Sequence, residues 1–116
     1  IMEGGYTDLM FAWKNGQRDV AELLLERGAD VAQKNEDGYT ALMLACMNGH
    51  RDVAELLLNR GAGVAQTNDD GHTALFWACQ NGQRDMAELL LDRGADVAQT
   101  RADMHTALFR ACLYGK

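Results

Sequence analysis

The sequence lacks proline, long apolar runs and any excess of basic residues, and each absence narrows what the chain can be. None of its 116 residues is proline, so no helix start is fixed in advance by a pyrrolidine ring. The apolar runs are far shorter than the ~20 residues that a membrane-spanning helix needs. With 11 Lys and Arg against 17 Asp and Glu, the net charge is −6. This balance disfavours general binding to nucleic acid or to anionic membrane, because both require clustered basic side chains.

Cysteine is scarce, and the start of the chain does not look like a leader. The three cysteines, Cys46, Cys79 and Cys112, are an odd number and recur every 33 residues. We therefore expect a reducing, intracellular and cytoplasmic setting instead of a disulfide framework. Residues 1–5 lack the basic segment and apolar run of a signal peptide. Because the chain opens on Ile1 and stops inside a unit, we also expect a fragment or an engineered chain.

What the sequence does contain is a repeat with a fixed period. Thr7, Thr40, Thr73 and Thr106 stand 33 residues apart and mark the register. The copies cover 5–37, 38–70 and 71–103, and a partial copy covers 104–116. A fixed period of this length indicates a stacked array, since each unit is too short to bury its own apolar face. We predict one elongated domain over residues 1–116.

The first half of each copy predicts a turn and a short helix. In the second copy, Asp-Gly at 37–38 favours a tight turn in which Gly38 adopts a positive φ. Thr40 is placed to cap the N-terminus of a helix over 41–47. Gly49 suits the left-handed position that ends such a helix.

The second half of each copy predicts a longer helix with one buried face. Over 51–59, Val53, Leu56 and Leu57 follow the spacing of a buried stripe. Gly61 is predicted to end this helix, and 62–67 to be extended. Two columns of arginine accompany it: one near its end, where positive charge favours the helix dipole, and one four residues before a glutamate, a spacing typical of surface pairs. The columns are Arg27, Arg60 and Arg93, and the pairs Arg18–Glu22, Arg51–Glu55 and Arg84–Glu88.

These fixed residues resemble the ankyrin repeat family. The shared pattern runs from D-G-x-T-A-L to L-L-L-x-x-G-A in each copy and covers nearly the whole chain. The resemblance implies an all-α solenoid of stacked helix-turn-helix units with extended finger turns. It also implies a non-catalytic module whose partner is another protein. The family's loop-tying His is replaced here by Met43 and Phe76, so we expect apolar packing to tie neighbouring loops.

Reactive residues are present, but their spacing does not bring them together. Stacked helices lie ~8–10 Å apart, beyond the ~7 Å between Cα atoms that a disulfide spans. His72 and His105 stand on fingers ~10 Å apart, too far to share a metal ion. Cys46 with His50 suggests a thiol–imidazole dyad, but a buried Cys makes this a poor candidate. We predict no enzyme activity, no cofactor and no metal site.

The resemblance places a partner on the finger tips and on the exposed side of the first helix. Trp77 is the strongest hot-spot candidate, because interface energy concentrates in Trp, Tyr and Arg; partial burial between helices explains it equally well. The varied residues on this face fit either selection for a partner or simple tolerance. Carried over residue by residue, the candidates are Tyr6, Phe11, Glu36, Tyr39, Leu44, Met47, Asn48, Asp69, His72, Trp77, Gln80, Asn81, His105 and Tyr114.

The ends of the array depart from what a closed stack needs. The last copy stops after its first helix, and the first copy resembles a polar cap only weakly. We therefore expect fraying or end-to-end self-association through the uncapped terminal repeats. Two alternatives to a natural binding module stay open: an engineered or truncated scaffold without a natural partner, and the interaction arm of a larger multidomain protein.

Overall fold

A computed structural model describes residues 18–96 of the chain. In this part the chain forms five α-helices and no β-strand, which confirms the all-α prediction for these residues. None of the five is long and apolar enough to cross a lipid bilayer. In chain order the helices are α1 (Arg18–Glu26), α2 (Ala41–Asn48), α3 (Arg51–Asn59), α4 (Ala74–Gln80) and α5 (Arg84–Asp92).

The first helix of each unit starts at a capping threonine, as the sequence predicts. The hydroxyl of Thr40 accepts a hydrogen bond from the backbone N–H of Met43, at 3.3 Å, and so satisfies a helix donor that would otherwise be unpaired. Thr73 does the same for α4 at 3.3 Å. At the other end of α2, Gly49 adopts the predicted left-handed conformation, with φ of +74°.

The second helix of each unit ends in a glycine motif that leads into the next loop. Arg60 is the C-cap residue of α3. Gly61, which the sequence predicts to end this helix, is the next residue and has a φ of +94°. The N–H of Ala62 then donates to the carbonyl of Leu57 at 2.9 Å, which satisfies a carbonyl left open by the helix. The prediction that 62–67 is wholly extended is wrong, because a turn at 64–65 interrupts it.

The helices stack in two rows. The first helices α2 and α4 pack on each other, and each packs against the second helix of its own unit. The second helices α1, α3 and α5 form the other row. Every residue of 41–46 in α2 is buried, since this helix has neighbours on several sides. In α3 the buried set includes the predicted stripe of Val53, Leu56 and Leu57.

Ion pairs connect the second helices of neighbouring units. Arg60 Nη2 lies 3.5 Å from Glu22 Oε2, and Arg93 Nη2 lies 4.0 Å from Glu55 Oε2. Arg93 Nη1 also donates to Asn59 Oδ1 at 2.8 Å. These arginines therefore reach across the stack to the preceding unit, a role that the helix-dipole interpretation missed.

The predicted pairs within one helix form only in α5 among residues 18–96. There Arg84 Nε lies 3.3 Å from Glu88 Oε1, with both side chains mostly exposed. In α1 and α3 the glutamate at this position pairs with an arginine of the following unit instead. An exposed pair of either kind contributes little, about 0–1 kcal/mol.

Candidate functional site

An asparagine side chain holds each finger loop in shape, where the finger loops are the segments 27–40 and 60–73 between helices. Asn35 Oδ1 accepts from the backbone N–H of Asp37 at 2.9 Å and of Tyr39 at 3.0 Å. Asn68 does the same, at 3.0 Å each, for the residues two and four positions later. One amide thus positions both an acidic residue and a ring-bearing residue on each loop. Sequence reasoning missed this role, although Asn two residues before Asp-Gly is a turn signal.

The two finger loops also touch each other. The N–H of Asp69 donates to the carbonyl of Asp37 at 3.1 Å, and Lys34 Nζ donates to the carbonyl of Thr67 at 2.8 Å. Gly38 makes the close approach possible: its φ is +85°, and a Cβ there would lie 2.6 Å from Asp69 Oδ1. Any other residue at this position would push the loops apart.

The expected apolar tie between loops is therefore only part of the connection. Met43 and Phe76 are indeed buried, 1% and 8% exposed. Direct contact between the loops is nevertheless polar, through a backbone hydrogen bond and the lysine ammonium. A backbone hydrogen bond and the lysine therefore connect the neighbouring loops here, which is the role of the histidine in the family.

Four rings from two units form an aromatic cluster, which consists of Tyr39, His72, Phe76 and Trp77. His72 stacks on Phe76 with ring centroids 4.0 Å apart, and meets Trp77 edge-on at 5.5 Å. Phe76 and Trp77 are 5.0 Å apart. Tyr39, from the preceding unit, lies 5.9 Å from Trp77. The stacking of two copies is thus what brings these rings together.

The aromatic cluster contains polar atoms that find no partner in the described part of the chain. Trp77 Nε1, both ring nitrogens of His72 and the nearby Asn68 Nδ2 are buried and make no hydrogen bond there. A buried polar atom without a partner costs about 1–3 kcal/mol. Apolar residues of similar size would avoid that cost, so packing alone does not account for these residue types.

The predicted partner-binding residues fall into two groups by exposure. The rings and Met47 are half-buried, whereas the polar residues are exposed and accessible to a partner. The half-buried candidates are Tyr39, Met47, His72 and Trp77, and the exposed ones are Glu36, Asn48, Asp69, Gln80 and Asn81. Four further candidates, Tyr6, Phe11, His105 and Tyr114, lie outside the described residues.

Leu44 does not belong to the candidate surface. It is 3% exposed and part of the hydrophobic core, although it occupies the same offset as the half-buried Trp77. The physical reason is the position of α2, which has α3 and α4 packed against it. A side chain enclosed in this way offers no area to a partner, so we remove Leu44 from the set.

The two asparagines at the ends of the first helices have a structural task. Asn48 Nδ2 donates to the carbonyl of Leu44 at 2.9 Å, within its own helix. Asn81 Nδ2 donates to the carbonyl of Met47 at 2.9 Å, across to the preceding unit. The bond from Asn81 satisfies a carbonyl in the last turn of α2, one of the four that a helix leaves without internal donors.

The reactive residues of this region are held in unreactive surroundings. Cys46 and Cys79 are buried and are not bridged to each other. Burial raises the pKa of the Cys46 thiol far above its ordinary value, so the thiol stays protonated and is a poor nucleophile. Between residues 18 and 96, no three His, Cys, Asp or Glu side chains are grouped as metal ligands.

Comparison with known proteins agrees with this architecture. No curated protein gives a significant match to the chain. Among protein families, residues 9–101 match ankyrin repeats, in three copies. The matched range is more than half of the chain and includes all five helices described above. On the period, the capped helix pairs and this match, the chain belongs to the ankyrin repeat family.

Proposed function

We propose that this array binds another protein, without catalysis, through the aromatic cluster and the exposed carboxylates of the finger loops. Ankyrin repeats are generally protein–protein interaction modules. One observation carries the proposal: positions at which the copies differ meet in space. Tyr39 in one copy and His72 in the next share an offset, and both lie within 6 Å of Trp77, at 5.9 and 5.5 Å between ring centroids.

Trp77 is the proposed centre of the contact. The corresponding residue one unit earlier is a buried leucine, so the larger indole extends from the core into the half-exposed cluster. Tryptophan and tyrosine supply much of the binding energy in protein interfaces.

The finger-loop charges favour a partner with a basic surface. Glu36, Asp37 and Asp69 are exposed, and none of them is ion-paired within residues 18–96, whereas one glutamate in each second helix is. The lysine of the first loop already donates to a backbone carbonyl. Exposed carboxylates attract a basic partner mainly by raising its association rate, and salt screens that attraction.

Affinity capture with matched variants tests the proposal. The full chain is immobilised and exposed to a lysate of the cells that produce it, beside Tyr39→Ala, Trp77→Ala and the control Glu26→Gln. Glu26 is an exposed residue of α1, remote in sequence from the aromatic cluster. We expect a partner that the parent chain and the control retain and that both ring variants lose by about tenfold or more. A partner retained equally by all four proteins would contradict the proposed surface.

No described feature suggests a second, chemical activity. An open groove of about 500 Å³ lies where the helix-to-helix turns of two units meet. Arg51, Gln83, Arg84 and Asp85 contribute to its lining, and no cysteine, serine or histidine does. Without a nucleophile and a base in reach of each other, the groove lacks the first requirement of nucleophilic catalysis.

We place the binding event in a reducing, intracellular compartment. The support is the buried, unbridged state of Cys46 and Cys79 in the core of the first helices. Proteins of oxidising compartments instead use cysteine pairs to stabilise small folds. Fractionation of cells that express the full chain, with a disulfide-containing secreted marker for comparison, tests this placement.

A further inference from the structure

A seam runs between the second and third units on the side of the finger loops, where the seam is the line of contact from Gly38 and Tyr39 to Asp69 and Trp77. A Cβ at Gly38 would lie 2.6 Å from Asp69 Oδ1, so this carboxylate stands directly beside residue 38. The ring of the next residue, Tyr39, lies 5.9 Å from the ring of Trp77. The third unit therefore places a carboxylate beside one residue and an indole beside the following residue.

Hydrogen bonds of the backbone hold the seam in shape. The carbonyl of Asp37 accepts from the N–H of Asp69 at 3.1 Å. Asn35 Oδ1 accepts from the N–H of Tyr39 at 3.0 Å. These bonds fix the backbone that carries the carboxylate and one of the two rings. A site that is already ordered loses little conformational freedom on binding, so more of its contact energy appears as affinity.

The charge along the seam is negative. The tips of the two finger loops, 35–39 and 68–72, read NEDGY and NDDGH, with four acidic residues and no lysine or arginine. Asp69 is exposed and forms no ion pair within residues 18–96. Lys34, just outside the first tip, already donates to the carbonyl of Thr67. A ligand that contacts both the rings and Asp69 therefore gains most by carrying a positive charge.

Arginine is the cationic side chain whose shape fits both parts of the seam. Its guanidinium is planar, so one face stacks on an aromatic ring while the N–H groups in its plane donate to a carboxylate. The ammonium of lysine is a compact point charge and lacks this division between face and edge. Tyr39 and Trp77 are half-buried, so part of each side chain remains at the surface for a ligand to contact.

Resting on the proposed function, we propose that the seam binds an arginine side chain of the protein partner, stacked on the rings of Tyr39 and Trp77 and paired with Asp69. This contact deepens the proposed function, because it names the side chain that the aromatic cluster and the finger-loop carboxylates recognise together. Rings alone accept apolar side chains, and carboxylates alone accept lysine as well as arginine. The combination along one seam selects arginine.

Nuclear magnetic resonance of the isotope-labelled full chain, titrated with short peptides, tests the arginine site. The probes are a glycine pentapeptide with a central arginine, capped at both ends, and the same peptide with lysine or with citrulline, which keeps the shape of arginine without its charge. We expect the arginine peptide to cause saturable shifts of the Trp77 indole N–H and of the Tyr39 and Asp69 amides at millimolar concentration. The lysine peptide should bind about threefold more weakly, and the citrulline peptide about tenfold more weakly.

Matched variants connect the binding to the seam. Trp77→Leu introduces the residue that the preceding copy has at this offset, and it should weaken binding of the arginine peptide about fivefold. Asp69→Asn removes only a charge and should weaken it about threefold. Asp92→Asn, the same change at an exposed position at the end of α5, should bind like the parent chain. The same spectra show that each variant is folded, because the amide signals outside the seam keep their positions.

Three results would overturn the proposal. They are the absence of saturable shifts at the seam, equal binding of the arginine and citrulline peptides, and equal binding by Trp77→Leu and Asp92→Asn. The capture experiment with the ring variants is a separate measurement. A partner lost from those variants, beside a chain that does not respond to the arginine peptide, keeps the protein-binding function and removes arginine as its ligand. A partner retained by every variant removes the proposed surface itself.

Discussion

Helices α1 and α3 are almost the same peptide in two different settings. They differ only at their last residue, Glu26 against Asn59, yet α3 buries its valine and first leucine while α1 leaves them about half exposed. The setting differs because α3 lies between α1 and α5, and α1 has a second helix on one side only within residues 18–96. In a stacked array, burial is therefore a property of position, and a single helix sequence serves as interior or as edge.

The first helices show the opposite case, in which a difference in sequence and not in position changes the exposure of a side chain. Helices α2 and α4 hold equivalent positions, and their main difference is in sequence, with Leu44 in one and Trp77 in the other. Leu44 disappears into the core, while Trp77 forms the centre of the aromatic cluster. The place of a helix in the stack thus decides whether its apolar side chains are exposed, and its sequence decides which side chains it presents at the surface.

The largest expected effect is the contrast between two leucine truncations. Leu56→Ala should lower the free energy of unfolding by about 3 kcal/mol, because it leaves a cavity in a closed core. Leu23→Ala should cost less than about 1 kcal/mol, since that side chain is already 49% exposed. Urea unfolding followed by circular dichroism measures both at low protein concentration. Leu89→Ala, from α5, is the interior control, and equal losses at positions 23 and 56 would contradict the distinction between edge and interior.

Glycine substitutions separate local strain from contact with a neighbour. Gly28 and Gly61 both have φ of +94°, and a Cβ added at either would have no other atom within 4 Å, so alanine should cost about 1 kcal/mol at each. Equal losses of stability at positions 28 and 61 would show that α1 and α3 differ in packing and not in the strain of the glycine that follows each helix. Gly38→Ala also pushes against Asp69 and should cost about 2 kcal/mol or more. Thermal unfolding ranks the three, and a Gly38→Ala protein as stable as Gly61→Ala would refute the close approach of the loops.

The buried thiol of Cys46 should make the free energy of unfolding fall at alkaline pH. Burial raises the pKa of Cys46 in the folded state, so its contribution is complete below the unfolded pKa of about 8.5 and declines above it, because only the unfolded chain then loses the proton. Between pH 8.5 and 10 the loss should be about 2 kcal/mol. Cys46→Ala should flatten the profile by that amount in urea titrations. Parallel profiles for the two proteins would contradict the burial of this thiol.

The smallest expected change in the free energy of unfolding comes from the arginines that follow the second helices. Arg60→Ala should cost about 0.5 kcal/mol, because it removes a half-exposed pair with Glu22. Arg27→Ala should be neutral in the monomer, since this arginine has no carboxylate partner in the described part of the chain. A double-mutant cycle with Glu22→Gln checks the first value. A cost at position 27 equal to that at position 60 would mean that the edge is not open.

The parts of the fold that depend on nearby residues were predictable from the sequence. The cap at Thr40, the left-handed Gly49 and the bounds of α3 each follow from a few adjacent residues, and the structure confirms them. The turn at 64–65 was missed, because valine and alanine are not turn-forming residues. Asn35 was overlooked for a related reason: its role is a side-chain bond to the backbone, which apolar periodicity does not register.

What the sequence could not supply is contact between units. Arg60 stands within reach of Glu22, 38 residues away, and no spacing rule for a single helix anticipates such a pair. Leu44 and Trp77 share an offset in the repeat, so the spacing of the copies does not show that one is buried and the other half-buried. The contact between Tyr39 and Trp77 also depends on the stacking of two units. The sequence therefore predicted candidate residues for a surface, but not which of them lie next to each other.

Hydrogen exchange of the full chain, alone and with its captured partner, tests the proposed binding surface most directly. We predict slower exchange of backbone amides at 36–39 and 69–77, the segments that carry the finger carboxylates and the aromatic cluster, with little change in α3 and α5. Slower exchange confined to the second helices, with 36–39 and 69–77 unchanged, would contradict the proposed surface.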